Sequence, residues 1–430
     1  MAVFVILFIQ NMRYLKLILI FSWLLFISSC ASSSGPHLQL INEKDEIRLG
    51  KLYTFYYIDE GEGLFPEKEV QAYVRKIGEK LASVTPRRLP YKFFVLNSEE
   101  INAFALPGGP VMVTRALLLH LHSESELATV LGHELGHINA RHHEKFLEKR
   151  FTLNLLLTIS NFFLPDTTSG EILWRLENIG ASLLTLKFSR DQEREADRYG
   201  IIFACKAGYT PYSIIGVFNT FKKLEKKRPP EWLSTHPLPE TRIKEAKTFL
   251  ASFYCPNGQK KDSPEFHRIK NIILKTSASY NLVKKAEKAY KKGDTKGAYS
   301  YLNKALNLYP KNTLAALLLS ILYIKDKKYE KAKHYALLCL RYDPEWFSAN
   351  IVAGIASFYQ KNYFQAETYF KEARHLIPFK GISYYYLGRI AETQRNYLRA
   401  INYYQKALKL GPKNEYWYKD CYRRYKRLVF

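Results

Sequence analysis

The 430-residue sequence has few cysteines and no long apolar segment. Its five cysteines form no CxxC pair, which argues against a cysteine-ligated zinc site. Apolar runs cover residues 17–27 and 151–164, and both are shorter than the roughly 20 residues that a membrane-spanning helix needs. The sequence therefore argues against an enzyme that crosses a membrane several times.

Acidic residues are outnumbered by basic ones, 40 against 65, which gives a formal net charge of +25. The excess is concentrated in residues 280–430, which carry 29 Lys and Arg but 11 Asp and Glu. A basic region of this kind suits nucleic acid, anionic lipid or an acidic protein. Because the N-terminus has the layout of an export signal, we predict no nucleic-acid partner.

The N-terminal 29 residues are predicted to be a signal peptide that starts at Met1 or Met12, because a short basic stretch precedes an apolar run. Ile27 to Cys30 resembles a bacterial lipobox, so Cys30 is predicted to carry lipid, with residues 30–40 as a tether. The next two residues are not Asp, which favours periplasmic anchoring to the outer membrane. The alternative is an ordinary signal peptide or a membrane anchor.

The pattern after the tether predicts both helices and strands. Helices are expected at 43–60, 67–83, 123–148, from Glu193 to about Ala207, and at 240–253; strands are expected at 91–96, 102–106 and 110–114. Cys205 and Cys255 flank one segment, and they either pair or remain buried thiols. A first folded domain is predicted at 41–255 and a linker at 256–278.

The C-terminal third is a repeat array. Proline recurs every 34 residues, and so do small and tyrosine positions: Pro310, Pro344, Pro378 and Pro412; Ala298, Ala332, Ala366 and Ala400; Tyr301, Tyr335, Tyr369 and Tyr403; Ala305, Cys339, Ala373 and Ala407. This period predicts four tetratricopeptide repeats over 279–414, an all-α solenoid. Residues 415–430 are predicted as a basic capping helix, whose charges suit a polar outer face.

A metal-binding pattern lies in the predicted helix 123–148. His133 and His137 are four residues apart, so both imidazoles project from one helix face and can reach one zinc ion. Glu134 lies between them, where its carboxylate can take a proton from a zinc-bound water. We therefore predict a zinc metallopeptidase with Glu134 as the general base.

A second motif, SRDQEREAD, supplies carboxylates at the same spacing. Glu193 and Asp197 share a helix face, so Glu193 can bind the metal while Asp197 hydrogen-bonds a ligand imidazole from behind. Glu195 points elsewhere and is predicted to be solvated or ion-paired. Gly136 and Ala196 are small, which suits a close crossing of the two helices.

A rival third ligand is His143, six residues after His137, where metzincins place a histidine. Metzincins need glycine at the position of Ala140, and a methionine turn downstream. The three methionines all precede the motif. We therefore predict that His142 and His143 are exposed helix residues or electrostatic neighbours, not ligands.

The segments HELGH, SRDQEREAD and THPLPETR together resemble the HtpX and CAAX-prenyl-protease family of zinc peptidases. The signal and the repeats are similar to those of its periplasmic BepA-like members. This resemblance implies an α+β zincin-type domain with one zinc ion per chain. It implies His133, His137 and Glu193 as ligands and Glu134 as the catalyst. Residues 102–109 resemble the family's strand beside the active site.

The resemblance also implies that the loop at His236 lies beside the metal. Pro237 forces His236 into an extended geometry. His236 is expected either to stabilise the oxyanion or to occupy the open metal position and keep the enzyme latent; the alternative is a histidine on a surface turn. Arg242 is expected to pair with a carboxylate and hold this loop closed.

These features predict an endopeptidase of the bacterial envelope. Its clients would be misfolded or stalled exported and outer-membrane proteins, with the repeats recruiting clients or assembly machinery. The alternative is a tetratricopeptide adaptor or chaperone with a mostly latent zinc domain. Because every predicted catalytic residue precedes residue 250, a chain without 279–430 is expected to keep its cleavage activity.

Overall fold

The computed structural model describes residues 41–149, 178–180, 182–183, 186–225, 230–237 and 240–430. The predicted signal peptide, Cys30 with its tether, and the apolar run 151–164 lie outside the described residues. Within the part of the chain that the structure describes, no helix is both long and apolar enough to cross a bilayer.

The N-terminal part combines helices with one small sheet. Its elements are α1 (Glu43–Glu60), α2 (Lys68–Ala82), β1 (Lys92–Leu96), β2 (Ala103–Ala105), β3 (Pro110–Thr114), α3 (Arg115–His120), α4 (Glu124–Asn139), α5 (Arg190–Lys206), α6 (Ser213–Glu225), α7 (Trp232–Thr235) and α8 (Glu240–Ser252). The strand order is β1-β3-β2, with β1 parallel and β2 antiparallel to β3. The predicted α+β architecture is confirmed.

The motif helix α4 starts as predicted but ends early. Ser123 accepts a hydrogen bond from the Glu126 backbone N–H at 3.3 Å and caps the helix. The helix ends at Asn139, Arg141 adopts φ 57°, and residues 142–149 are helical again. The prediction of one helix over 123–148 is therefore wrong. The break depends on tertiary contacts, because Arg141 binds Glu46 and the Ile41 carbonyl.

Helices α4 and α5 cross at small residues. A Cβ atom placed on Gly132 would lie 3.2 Å from the Gly200 Cα, and one on Gly136 would lie 3.0 Å from the Ala196 Cα. A larger side chain at either glycine would push the helices apart. Since α4 carries His133 and His137 and α5 carries Glu193, this contact sets the distance between the two motifs.

The C-terminal part is the predicted helical array. Its elements are α9 (Pro264–Lys291), α10 (Thr295–Leu308), α11 (Thr313–Lys325), α12 (Tyr329–Tyr342), α13 (Phe347–Tyr359), α14 (Tyr363–Leu376), α15 (Gly381–Thr393), α16 (Tyr397–Leu410) and α17 (Tyr418–Val429). Each repeated proline follows the second helix of a pair, and the repeated alanines are buried where helices cross. In α17, Arg424 and Arg427 pair with Glu392 of the preceding repeat.

The predicted linker differs from the structure. From Pro264 onward it is part of α9, which begins at the Ser263 cap. Phe266 and Ile273 of this helix are fully buried, so apolar residues fix the segment against the N-terminal part. A chain cut at residue 279 would end inside α9. Such a chain would lose the part of α9 that carries the buried Tyr280 and Val283, and its retained cleavage activity stays a prediction.

The repeats contact the N-terminal part directly. Glu67 accepts hydrogen bonds from the Tyr309 hydroxyl at 2.8 Å and from Lys311 at 2.9 Å. The buried Asp343 carboxylate accepts from the Leu64 backbone N–H at 3.0 Å. Two groups of contacts thus bind the array to the segment that leads into α2.

Cys205 and Cys255 form a disulfide, which is the pairing alternative raised by the sequence. The bond joins the C-terminal end of α5 to the chain just after α8. Among the described residues, Cys339 and Cys421 are buried free thiols.

Candidate metal centre

Four buried side chains converge on one point between α4, α5 and the loop after α7. Ligand atoms of His133, His137, Glu193 and His236 all lie within 4.8 Å of one another. The Nε2 atoms of His133 and His137 are 3.1 Å apart. Glu193 places Oε1 3.5 Å from the His137 Nε2 and Oε2 3.7 Å from the His133 Nε2. The structure thus brings the three predicted ligands together.

The positions of the ring protons in this cluster leave lone pairs that can bind a metal cation. The His133 Nδ1 lies 3.0 Å from Asp197 Oδ1, so this ring donates from Nδ1 and leaves a lone pair on Nε2. The His137 Nδ1 likewise has a partner on its outer side, 2.9 Å away. Two Nε2 lone pairs and a carboxylate therefore face each other in a buried space. A bound metal ion satisfies all three, and three protein ligands of this type suit a catalytic zinc.

Glu134 is held beside the cluster by a residue that the sequence reasoning missed. The Trp232 indole donates from Nε1 to Glu134 Oε1 at 3.2 Å. Trp232 also stacks on His236, with ring centroids 4.8 Å apart. Burial raises the pKa of Glu134, while His236, His133 and the indole hydrogen bond oppose that rise. The signal in the sequence that could have found it is that Trp232 precedes His236 by four residues.

His236 faces the metal position. Its Nδ1 lies 2.9 Å from Glu193 Oε1 and 3.4 Å from the His133 Nε2, and its side chain is 1% exposed. Burial lowers the pKa of His236, but Glu193 and Glu134 outweigh it and hold the pKa above its usual value. The alternative of a histidine on a surface turn is therefore wrong.

Arg242 lies behind the cluster and contacts three groups. It donates from Nε and Nη2 to the Asp197 carboxylate at 2.8 and 2.7 Å. Its Nη1 lies 2.7 Å from Glu193 Oε2 and donates to the Pro237 carbonyl at 2.7 Å. Burial raises the pKa of Asp197, but Arg242 and His133 lower it to about 2. Arg242, which was expected to pair with a carboxylate and hold the loop closed, therefore contacts Glu193, Asp197 and the loop of His236.

His142 and His143 are not exposed, so of the two predicted alternatives the structure excludes exposed helix residues and favours electrostatic neighbours of His137. Both are buried, at 0% and 4% exposure. The turn at Arg141 places His142 against His137 and places His143 beside the cavity that reaches Glu134 and His236. Neither belongs to the converging ligand set. The β2 segment lines the same cavity with Asn102, Phe104, Ala105 and Leu106, which fits the expectation of a strand beside the site.

Comparisons with known proteins identify two parts of this chain. Residues 67–249 match the model of peptidase family M48, and residues 289–348 and 382–414 match tetratricopeptide repeat models. This chain therefore contains an M48 peptidase domain followed by tetratricopeptide repeats.

Named relatives resemble the peptidase part. The beta-barrel assembly-enhancing protease of Yersinia pestis is 33% identical over 191 residues, which cover 41% of this chain and 38% of that protein. The mitochondrial metalloendopeptidase OMA1 of Arabidopsis thaliana is 36% identical over 157 residues, 36% of this chain and 31% of that protein. The chain thus matches well under half the length of these curated relatives.

Among solved structures, a crystal structure of MamA aligns with 35% of this chain and 90% of its own, at 20% identity and a TM-score of 0.30.

Proposed function

We propose that this chain, whose residues 67–249 form an M48 peptidase domain, is a zinc-dependent endopeptidase of the bacterial envelope. One zinc ion per chain would be held by His133, His137 and Glu193. The convergence of their donor atoms, with the Nε2 atoms 3.1 Å apart, carries this proposal. When bound, zinc polarises a scissile carbonyl and acidifies a water molecule.

The chain's own residues would supply the remaining chemistry. Glu134 would take a proton from the attacking water and later deliver it to the leaving amine. Trp232 fixes the Glu134 carboxylate through its indole N–H, so the base does not rotate away from the cluster. Arg242 holds Glu193 in place through its Nη1. Burial raises the pKa of Glu193, but His236 and, after it, Arg242 outweigh burial and hold the pKa below its usual value.

His236 has two candidate roles, and its position favours one of them. Its Nδ1 points at the same space as the ligand atoms, so it would fill the position that a catalytic zinc keeps for water. This supports a gate that keeps the enzyme latent, with Arg242 holding the loop at the Pro237 carbonyl. In the other role, oxyanion stabilisation, the ring would donate a hydrogen bond instead of filling that position.

The cleavage rate of His236→Ala on an unfolded substrate separates the two roles of His236. A rise supports the gate, whereas a fall of about a hundredfold supports oxyanion stabilisation. The position of His236 also matters for the alternative function, an adaptor or chaperone with a mostly latent zinc domain. If no substrate displaces His236 from the metal position that it faces in this structure, the zinc domain stays latent.

The clients are proposed to be unfolded exported and outer-membrane proteins. The name of the Yersinia relative supports this, since it refers to beta-barrel assembly. The repeats contain an apolar groove of about 710 Å³, which suits recruitment of an extended client or of assembly machinery. Its lining includes Leu317, Ile321, Ile351, Ile355, Tyr359 and Tyr386.

A periplasmic location, with outer-membrane anchoring through lipid on Cys30, remains part of the proposal. It rests on the lipobox-like residues before Cys30. Labelling with a palmitate analogue in a Gram-negative host tests it. Label on the wild type and none on Cys30→Ser is expected, and equal labelling of both proteins would exclude Cys30.

Proteolysis is tested on the purified full chain with an unfolded outer-membrane protein. Cleavage that a zinc chelator removes and added zinc restores is expected, together with one zinc ion per chain by elemental analysis. Zinc at that stoichiometry without cleavage, in both the wild type and His236→Ala, would favour the adaptor.

A further inference from the structure

His142 lies against the outer side of His137 because the chain turns at Arg141. In a continuous helix, a residue five positions after His137 would point about 140° away from it. Here α4 ends at Asn139, and Arg141 adopts φ 57°. The turn brings the His142 Nδ1 to 2.9 Å from the His137 Nδ1, and the His142 side chain is fully buried.

The proton positions along this contact follow from the ligand geometry. The His137 Nε2 faces the other ligand atoms, so a bound metal leaves the ring proton on Nδ1. That N–H can donate only to an unprotonated His142 Nδ1. His142 then carries its own proton on Nε2, which lies 3.1 Å from Glu195 Oε2. One neutral imidazole therefore connects the ligand to a carboxylate at the surface.

The other ligand histidine is supported differently. The His133 Nδ1 contacts Asp197 directly, and this buried carboxylate is paired with Arg242. Glu195, by contrast, has a side chain that is 48% exposed and reaches His137 only through His142. The two ligand rings thus have unequal support, one from a buried ion pair and one from a chain of two hydrogen bonds.

We propose that His142 and Glu195 are positioning residues that orient the metal ligand His137 and fix its tautomer. This inference rests on the proposed zinc site, and it assigns a function to two residues on opposite sides of the α4–α5 crossing. His142 is not itself a ligand, because it contacts the ring nitrogen that points away from the cluster. Outer partners of this kind typically change metal affinity or activity 10- to 100-fold when they are removed.

The first test compares His142→Leu with His142→Asn in the full-length protein. Leucine removes the acceptor for the His137 N–H, whereas the asparagine Oδ1 can take the place of the imidazole Nδ1. His142→Leu is expected to weaken zinc binding about 10- to 100-fold in competition with a chromophoric chelator, and His142→Asn should restore most of it. The visible spectrum of the cobalt-substituted protein should change in the leucine variant.

A purely structural role predicts a different outcome. Both variants would then lower the melting temperature of the metal-free protein, and zinc affinity of the folded fraction would not change. Unchanged zinc affinity in His142→Leu overturns the proposal, whatever the melting temperature.

The second test asks whether Glu195 acts through His142. Glu195→Ala should weaken zinc binding about threefold to tenfold, less than His142→Leu, because its carboxylate is half exposed and one residue further away. In the His142→Leu background the same change should have no further effect. Asp191→Ala is the matched control, since Asp191 is an exposed carboxylate on the same helix. An equal effect of Glu195→Ala in both backgrounds overturns the relay.

Cleavage by the wild type keeps the two proposals separate. If the wild type binds zinc in a His142-dependent way but cuts no substrate, the proposed function fails and the relay stands. If the wild type cuts and His142→Leu binds zinc normally, the relay fails and the function stands.

Discussion

The metal centre buries charged side chains, whereas the repeat array buries small and apolar ones. Glu134, Glu193 and Arg242 are each 1% exposed, and their burial is tolerated because each has a charged or hydrogen-bonded partner. The array buries Ala332 and Ala366 fully at its helix crossings. Each buried residue of the metal centre therefore makes a contact that occurs once in the molecule. In the array, the same residue type makes the same packing contact in each of the four repeats.

This difference determines how each region responds to change. Removing one partner from a buried charged network leaves the other uncompensated, which is costly and specific. A change in one repeat affects mainly its neighbours, because the stability of a solenoid is approximately a sum of local terms. Single substitutions should therefore abolish function in the centre and adjust stability in the array.

Glu193→Ala should produce the largest effect, a loss of zinc that a matched substitution in the repeat array does not cause. It removes the proposed third ligand and leaves Arg242 with one carboxylate fewer, so zinc affinity should fall by more than the 10- to 100-fold typical of outer contacts. Zinc content after gel filtration measures it. Glu372→Ala, an exposed glutamate of the array, is the control and should keep its zinc. Stoichiometric zinc in Glu193→Ala would mean that another group is the third ligand.

Asp343→Asn should have an intermediate effect that depends on pH. Burial raises the pKa of Asp343 to about 6. Because this folded value exceeds the roughly 3.9 of an unfolded chain, ionisation costs stability, in part above pH 4 and fully above pH 6. Asparagine still accepts from the Leu64 N–H and avoids that cost. The variant should be more stable than the wild type by about 1–3 kcal/mol at pH 7.

Denaturant unfolding of both proteins between pH 4 and pH 7 measures this effect. The stability difference should shrink towards zero as the pH falls to 4. A difference that stays constant over this range would show that the Asp343 carboxyl has an ordinary pKa. Ionisation of Asp343 would then cost no more stability than ionisation of an exposed carboxyl on the surface of the array.

Lys361→Gly should produce the smallest effect. The turn inside each repeat uses one left-handed residue, at Gly293, Lys327, Lys361 and Arg395, with φ between 59° and 84°. Glycine at 361 removes a steric cost of about 1 kcal/mol, so thermal stability should rise slightly while zinc content stays the same.

Gly293→Ala is the matched control for Lys361→Gly. A Cβ atom there meets no atom within 4 Å, so only the backbone cost changes. It should lower stability by about 1 kcal/mol. If both substitutions destabilise the protein, the turns are not equivalent across repeats.

The two regions also differed in how far the sequence predicted them. The 34-residue period placed the buried alanines and the prolines correctly, because each repeat makes the same local contacts. In the peptidase part, spacing placed His133 and His137 on one helix face, since residues four apart share a face. Glu193 was joined to them by its own motif and by the family resemblance.

Contacts between distant segments could not be predicted from spacing. The turn at Arg141 depends on Glu46 of α1, and without it His142 would point elsewhere. Trp232 donates its hydrogen bond to Glu134 although the two residues are 98 positions apart in the sequence. The predicted linker failed for a similar reason, since its apolar residues are buried only when α9 packs against α2 and α3.

The comparison of cleavage and zinc content in Glu134→Gln tests the central claim most directly. Glutamine leaves all three ligands intact and can still accept the Trp232 hydrogen bond, but it cannot take a proton from water. We expect one zinc ion per chain and a cleavage rate of an unfolded outer-membrane protein lowered about 100- to 10,000-fold. Wild-type cleavage by a zinc-loaded Glu134→Gln protein would contradict the account.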